Sequence, residues 1–270
     1  MKINTGAEHI SSSIRNLDKN LAITRSQLAS GLKNPDPSTD PLASTISKEL
    51  SADVAASQMV QTVTLTARST IEIASSVLES NIKILHNLKT LAIKASSATF
   101  SDNDRSNVDA NFQQQINQFD ANAKSQWGSR ILFNGTFAAN YQIGLQTTDV
   151  VNVTFNDMTA TTVIGTLDIT TSDNAKSAIT QIEVSLATVL DELARLGSYV
   201  QNFENLNEQM GVGLQNLQGA LSTHNDVDFS EAIIDSNRLS VLRDAANATL
   251  KMQFGDFEKL GHLVKESLGR

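Results

Sequence analysis

The stretch from Ile179 to Leu221 places apolar side chains at alternating steps of three and four residues. The series runs Ile179, Ile182, Leu186, Val189, Leu193, Leu196, Val200, Phe203, Asn207, Met210, Leu214, Leu217, Leu221, and only Asn207 breaks it. Near 3.5 residues per turn, such a repeat keeps one stripe facing one partner, which is the pattern of a coiled-coil seam. At about 1.5 Å rise per residue the segment is roughly 60 Å long, whereas helices in globular proteins average about 11–12 residues. A helix of that length does not fit inside a compact ball of 270 residues, so the expectation is a rod that assembles. A polar residue in a seam fixes register at some cost in stability, the role expected of Asn207. Gly211 and Gly213 then mark either a close helix approach or a local weak point.

Other segments supply partners. A second 3-4 register, Ile3, Ala7, Ile10, Ile14, Leu17, Leu21, Thr24, Leu28, predicts an N-terminal helix that seeks a helical neighbour. It stops at Ser30-Gly31, and all three prolines follow at Pro35, Pro37 and Pro41. Proline lacks an amide hydrogen and disfavours helix in its predecessor, so this is a stiff linker. Helix resumes near Ala43 and continues to about Ser97, with the seam Val60, Val63, Ala67, Ile71, Ala74, Leu78, Ile82, Leu85, Leu88, Ala92. Two long helices with matching stripes should pack side by side. Ser101 with Asp104 is close to a capping box, and the helix it opens carries Val108, Phe112, Ile116, Phe119 and Ala123 on one face.

After Trp127 the period falls to two. Asn134-Gly135 is a turn signal. Tyr141, Ile143, Leu145 and Val151, Val153, Phe155 alternate across Thr147-Thr148-Asp149, which reads as a hairpin. The threonine-rich run from Thr159 to Thr171 is expected to be a surface loop plus a short strand. The long helix follows Ser172-Asp173 and ends at the polar break Ser222–Asp226. A last helix carries Leu239, Leu242, Ala246, Leu250, Phe254, Phe257, Leu260, Val264 and Leu268 at close to 3.6 spacing. The predicted fold class is mainly α: an elongated antiparallel long-helix bundle with a small β-hairpin insert and paired terminal coiled-coil helices.

Composition narrows the function. With no cysteine there is no disulfide, thiol nucleophile or thiolate metal site. A net charge of -8 argues against a nucleic-acid partner. No apolar run approaches the roughly 18 residues of a membrane span, and Met1–Gly6 has no apolar core of a cleavable signal peptide. His9, His86, His224 and His262 are scattered, with no pairing at metal-ligand spacing. Asn225-Asp226-Val227-Asp228 lacks the glycine and closing glutamate of a calcium loop. No catalytic, cofactor or metal residue is expected. The hairpin offers a ligand only Tyr141 and Phe155 as aromatic platform.

An ordered set of motifs resembles the bacterial flagellin family: Leu28-Ala29-Ser30-Gly31-Leu32-Lys33 after the first helix, Leu91–Ser96 followed by Ser101-Asp102-Asn103-Asp104-Arg105, Ile116–Asp120, Phe133-Asn134-Gly135-Thr136, and Asn225–Glu231. The resemblance covers nearly the whole chain. It implies an inner-core helix over 1–34, a linker over 35–42, outer-core helices over 43–136, a short variable insert over 137–171, an outer-core long helix over 172–224 and an inner-core helix over 225–270. It implies a filament protomer that is exported unfolded without a cleaved signal to the extracellular flagellum. Its partners would be further copies or related flagellins, hook-associated proteins and an export chaperone, with no nucleic acid and no membrane insertion. The assembly interface would use Ile10, Ile14, Leu17, Leu21 and Leu28 with Leu239, Leu242, Leu250, Phe254 and Phe257. The bundle seam would use Leu186, Leu193, Leu196, Val200, Phe203, Asn207 and Leu214. Two departures stand out: Asp36–Ala43 is closer to the linker of hook–filament junction proteins, and Phe254–Leu260 departs from the usual Gln/Asn-rich ending, which bears on the packing of the inner-core helices. Members that activate the innate immune receptor for flagellin carry Arg and Glu at the positions of Asn87 and Asn111. Here both are asparagine while Leu91 is kept, which implies weak activation.

Overall fold

The computed structural model describes residues 5–268; Ile3, and the side chains of Phe257, Leu260, Val264 and Leu268, lie outside the described residues. In chain order the elements are α1 (Thr5–Ser30), α2 (Pro41–Ser96), α3 (Asp102–Ala123), β1 (Gln126–Trp127), β2 (Arg130–Ile131), β3 (Ala138–Gln142), β4 (Val150–Thr154), α4 (Ala160–Val163), α5 (Ser172–Asn225) and α6 (Phe229–Leu268). The fold is mainly α, with small antiparallel β pairs. Two compact units share these elements: Asp53–Gln215, and the chain ends Met1–Ala52 with Asn216–Arg270.

Local chemistry sets the helix limits. Gly31 at φ +73° ends α1, its amide donating to Gln27 O at 2.8 Å; only glycine takes that conformation cheaply. α2 starts two residues earlier than expected, because Pro41 suits the first helical position and Asp40 Oδ1 accepts from the Ala43 amide at 3.0 Å. At α3 the expected capping box is complete: the Asp104 amide donates to Ser101 Oγ at 3.3 Å, and the Ser101 amide to Asp104 Oδ2 at 3.1 Å. The Ser101 hydroxyl, which donates to Asp104 Oδ2 at 2.6 Å, and then the Ser101 amide hold the Asp104 carboxyl below its usual range. Thr171 Oγ1 accepts from the Asn174 amide at the start of α5, and Asp228 Oδ1 from the Ser230 and Glu231 amides at α6.

In the Asp53–Gln215 unit, α2 and α5 run antiparallel. Lys89 pairs with Glu183 (2.8 Å), Arg68 with Glu204 (3.6 Å), and Thr64 Oγ1 meets Met210 Sδ (3.9 Å), so numbering rises on one helix as it falls on the other. The buried line on α2 is Ser57, Val60, Thr64, Ala67, Ile71, Ala74, Leu78, Asn81, Leu85, Leu88, Ala92, Ala95, an unbroken 3-4 series. It keeps most of the expected stripe but replaces Val63 by Thr64 and Ile82 by Asn81. Both polar residues are satisfied: Thr64 donates to Val60 O, and Asn81 meets Phe119 O and the Asn122 amide of α3. α3 lies antiparallel on α2. Its Arg105, 7% exposed, donates to Ala95 O and Ser97 O and so caps the carbonyl end of α2.

The β region follows the expected hairpin, with Tyr141 opposite Val151 and Ala139 opposite Val153. Two expectations here are corrected. Leu145 is not a strand residue but sits 53% exposed in the turn, which closes earlier through the Ile143 amide to Asp149 O. The Thr159–Thr171 run contains no strand; it forms α4 and a loop. Asp157 accepts from the Thr159 amide and the Thr162 hydroxyl, which starts a helical turn, and Val163, Ile164 and Ile169 are buried. Side chains of α3 satisfy the loop backbone, Asp109 taking the Ile169 amide (2.9 Å) and Gln113 reaching Leu167 O (2.8 Å).

Candidate assembly interface

In the unit made by the chain ends, α1 and α6 pair antiparallel: the Cβ position of Gly6 lies 3.4 Å from Gln253, and that of Gly31 3.8 Å from Phe229. The α1 stripe is the expected one, with Ala7, Leu21 and Thr24 buried and Ile10, Ile14, Leu17 and Leu28 half-buried. The two chain breaks are tied together: Leu32 bridges Asp226, the Lys33 amide donates to Asn225 O (2.7 Å) and the Val227 amide to Gly31 O (3.0 Å). Asn225–Asp228 is thus a pinned crossover.

On α6 the expected single stripe resolves into two. The less exposed line is Ala232, Ser236, Leu239, Arg243, Ala246, Leu250 and Gln253, again at steps of three and four. Asp244, and behind it Asp18 of α1, hold Arg243 further toward its charged form. About half a helical turn away is a second register, Ile234, Val241, Ala245, Ala248 and Met252, all exposed and interrupted by the polar Asn237 and Arg238; Ile234, Val241 and Met252 are 66%, 68% and 64% accessible. Leu242 and Phe254 also lie outside the paired line, exposed. No large apolar side chain of α1 is exposed among the described residues. The uncovered apolar surface of this pair therefore belongs to α6. Scattered exposed apolar side chains need no explanation, but a register at coiled-coil spacing does.

In the other unit α5 buries Ala175, Ala178, Ile182, Ser185, Val189, Glu192, Leu196 and Phe203. Of the expected bundle residues, Leu196 and Phe203 are buried, while Leu186, Leu193, Val200, Asn207 and Leu214 are half-buried. One line of the seam is the expected one; the other is displaced by a residue, onto Ser185 and Glu192. Ser185 Oγ donates to Val163 O (2.7 Å) and Gln181 O (2.8 Å). Glu192, 2% exposed, accepts from Asn156 N (3.1 Å) and Nδ2 (2.8 Å), and from Arg195 Nε (3.0 Å) and Nη2 (2.5 Å). These bonds, chiefly those to Glu192, hold Arg195 protonated. Arg195 also reaches Thr154 Oγ1 (3.4 Å), and Tyr141 packs edge-on against Phe203. Thus a buried carboxylate joins the β insert to α5. Reading the series by hydrophobicity alone passed over Glu192; its three-residue spacing from Arg195 was the available signal.

Asn87 and Asn111 are exposed, whereas Leu91 is half-buried against the core. All four histidines are exposed, and among the described residues no group of three or more His, Cys, Asp or Glu is placed to hold a metal. No described helix is long and apolar enough to cross a membrane. Phe155 is 2% exposed, stacked on Phe137 at 4.4 Å between centroids.

One unit pairs the helical chain ends, and the other is a long-helix bundle carrying a small β insert. Residues 2–138 match the bacterial flagellin N-terminal helical region, and the chain belongs to the flagellin family. It is 28% identical over 200 residues to a flagellar filament 30.7 kDa core protein of Treponema maltophilum, covering 67% of this chain and 70% of that one. It is 25% identical over 247 residues to a flagellin of Halalkalibacterium halodurans, covering 87% and 91%. Among solved structures, a putative flagellar hook-associated protein from Vibrio parahaemolyticus superposes with a TM-score of 0.57 at 15% identity, over 70% of this chain and all of that one. Bacillus cereus flagellin gives 0.50 at 20% identity, over 55% and 88%. These two share the fold.

Proposed function

We propose that this chain is a structural protomer of the bacterial flagellar filament, exported unfolded and assembled outside the cell. The observation that carries the reading is the exposed register Ile234, Val241, Ala245, Ala248, Met252 on the face of α6 turned away from α1. A 3-4 stripe of this kind is completed by another helix, and repetition of one heterologous contact builds a helical polymer. The interface is Ile10, Ile14, Leu17, Leu21, Leu28, Leu239 and Leu250 within each terminal pair, with Leu242, Phe254 and the outer register turned to neighbouring copies. Further partners are hook-associated proteins and an export chaperone. The domain scheme of inner-core ends, outer-core bundle and short insert belongs to the same proposal. The role is mechanical, not enzymatic.

Val241→Asp tests it. Val241 is 68% exposed, so the monomer keeps its fold, while a carboxylate in an apolar seam blocks assembly. Seeded polymerisation followed by negative-stain microscopy should give long filaments from the native protein and none from the variant. Normal filaments from Val241→Asp would remove the outer register from the interface. Native protein that stops at short oligomers would favour the alternative, a hook–filament junction protein, which the Asp36–Ala43 linker supports. A ligand-binding role for the hairpin is disfavoured because Phe155 is buried and Tyr141 is engaged with Phe203.

A further inference from the structure

We propose that residues 204–219 of α5 are a release segment, where the long helix opens locally while the packed helix before it stays closed. Three independent observations converge there. Burial comes first. From Ala175 to Leu196, α5 buries side chains at steps of three or four, and Phe203 is buried one heptad further on, but from Glu204 to Asn225 none is buried; Leu206, Met210, Leu214, Leu217 and Leu221 keep the spacing half-exposed. The covering that resists opening therefore thins out beyond Phe203.

The second observation is Asn207. Its Oδ1 is buried with no hydrogen-bond partner, although Thr64 and Met210, which contact each other, lie at this level of the seam. A buried acceptor without a donor penalises the closed state and is satisfied by water once the segment opens. The third is a glycine cluster. Gly211, Gly213 and Gly219 stand in the helix interior, and a Cβ added at any of them meets nothing within 4 Å. Within the chain, therefore, no helix approaches these glycines closely. What remains is their effect on the backbone: each widens the open ensemble and weakens the helix. Gly197 is equally unhindered but sits between the buried Leu196 and Phe203, where packing on both sides holds the helix.

Hydrogen exchange of the full-length monomer, read by mass spectrometry, tests the proposal. In the native protein, amides of 204–219 should exchange faster than those of 182–203. Each of Gly211→Ala and Gly213→Ala should slow 204–219 about five-fold, the ratio for about 1 kcal/mol of helix propensity, without changing 182–203. Gly197→Ala should leave 204–219 as it was. Asn207→Leu supplies an arm independent of the glycines and should slow the same amides. Equal protection on both sides of Phe203 in the native protein would overturn the proposal. So would glycine variants that leave 204–219 unchanged or slow the whole helix alike.

Discussion

Replacing Glu192 by glutamine exchanges one carboxylate oxygen for an amide nitrogen in a side chain that is 2% exposed. Each oxygen of Glu192 accepts one bond from Asn156 and one from Arg195: Oε1 from Asn156 N and Arg195 Nη2, Oε2 from Asn156 Nδ2 and Arg195 Nε. Neither orientation of the glutamine amide can therefore reproduce the set. Either way its NH₂ faces two donors, two bonds are lost, and the guanidinium loses its counter-charge. Breaking a buried pair by removing one partner costs roughly 3–5 kcal/mol. The Arg195 side chain is 30% exposed, so water recovers part of this and about 2–3 kcal/mol is expected. The single tryptophan, Trp127, packs against the core of the same unit and reports its unfolding by fluorescence. With a urea dependence of about 1–3 kcal/mol per molar, the midpoint should fall by about 0.7–3 M. A shift under about 0.3 M would refute the reasoning. The double variant Glu192→Leu with Arg195→Met should recover most of the loss, because removing both charges also removes their desolvation cost.

Ser101→Ala removes the hydroxyl half of the α3 capping box, while the backbone amide of residue 101 can still reach Asp104, and should cost about 1 kcal/mol in the same urea assay. Gly144→Ala places a Cβ 2.3 Å from Asp149 Oδ2 and 2.7 Å from Asp149 Cβ; the hairpin turn should lose about 1–3 kcal/mol, seen as faster exchange of the β3 and β4 amides. Acid should weaken the fold through Asp104, Asp157 and Asp168. Bonds from Ser101 hold Asp104 low, and bonds from Thr170 and Asn174 hold Asp168 low; at Asp157 burial acts upward but the bonds from Thr159 and Thr162 outweigh it. Their folded pKa values lie below the unfolded ones, so their contribution is complete above about pH 4 and disappears as pH falls below it. Thermal unfolding from pH 7 to pH 2 should show Ser101→Ala with a shallower acid slope; an unchanged slope would remove Asp104 from the account. Monomer applied to reporter cells should activate the flagellin receptor weakly, because Asn87 and Asn111 are exposed amides where activating members carry Arg and Glu. Potency equal to such a flagellin would defeat this expectation.

Much was legible in the chain itself because long helices are specified locally. Residue spacing alone picks out the α1 stripe and the line Ile182, Val189, Leu196, Phe203. Proline and glycine set the breaks, and Ser101 with Asp104 announces a helix start through bonds three residues apart. What the chain could not state is which neighbour occupies the other side of a helix. The second line of α5 runs through Ser185 and Glu192, not Leu186 and Leu193, because the β insert and the α4 turn bring Asn156 and Val163 against it. Those partners are 36 and 22 residues away in sequence, so no local pattern contains them. On α6, likewise, apolar spacing cannot say which of two stripes meets α1. Leu239 and Leu250 lie along the paired line while Leu242 and Phe254 lie outside it, decided by where α1 packs. Gly211 and Gly213 were ambiguous for the same reason, since close approach and weak helix differ only in whether another atom is nearby. Local periodicity determined that this protein is made of long amphipathic helices. Only the tertiary structure, through contacts between residues distant in sequence, decided which faces are closed within one chain and which are left open to another.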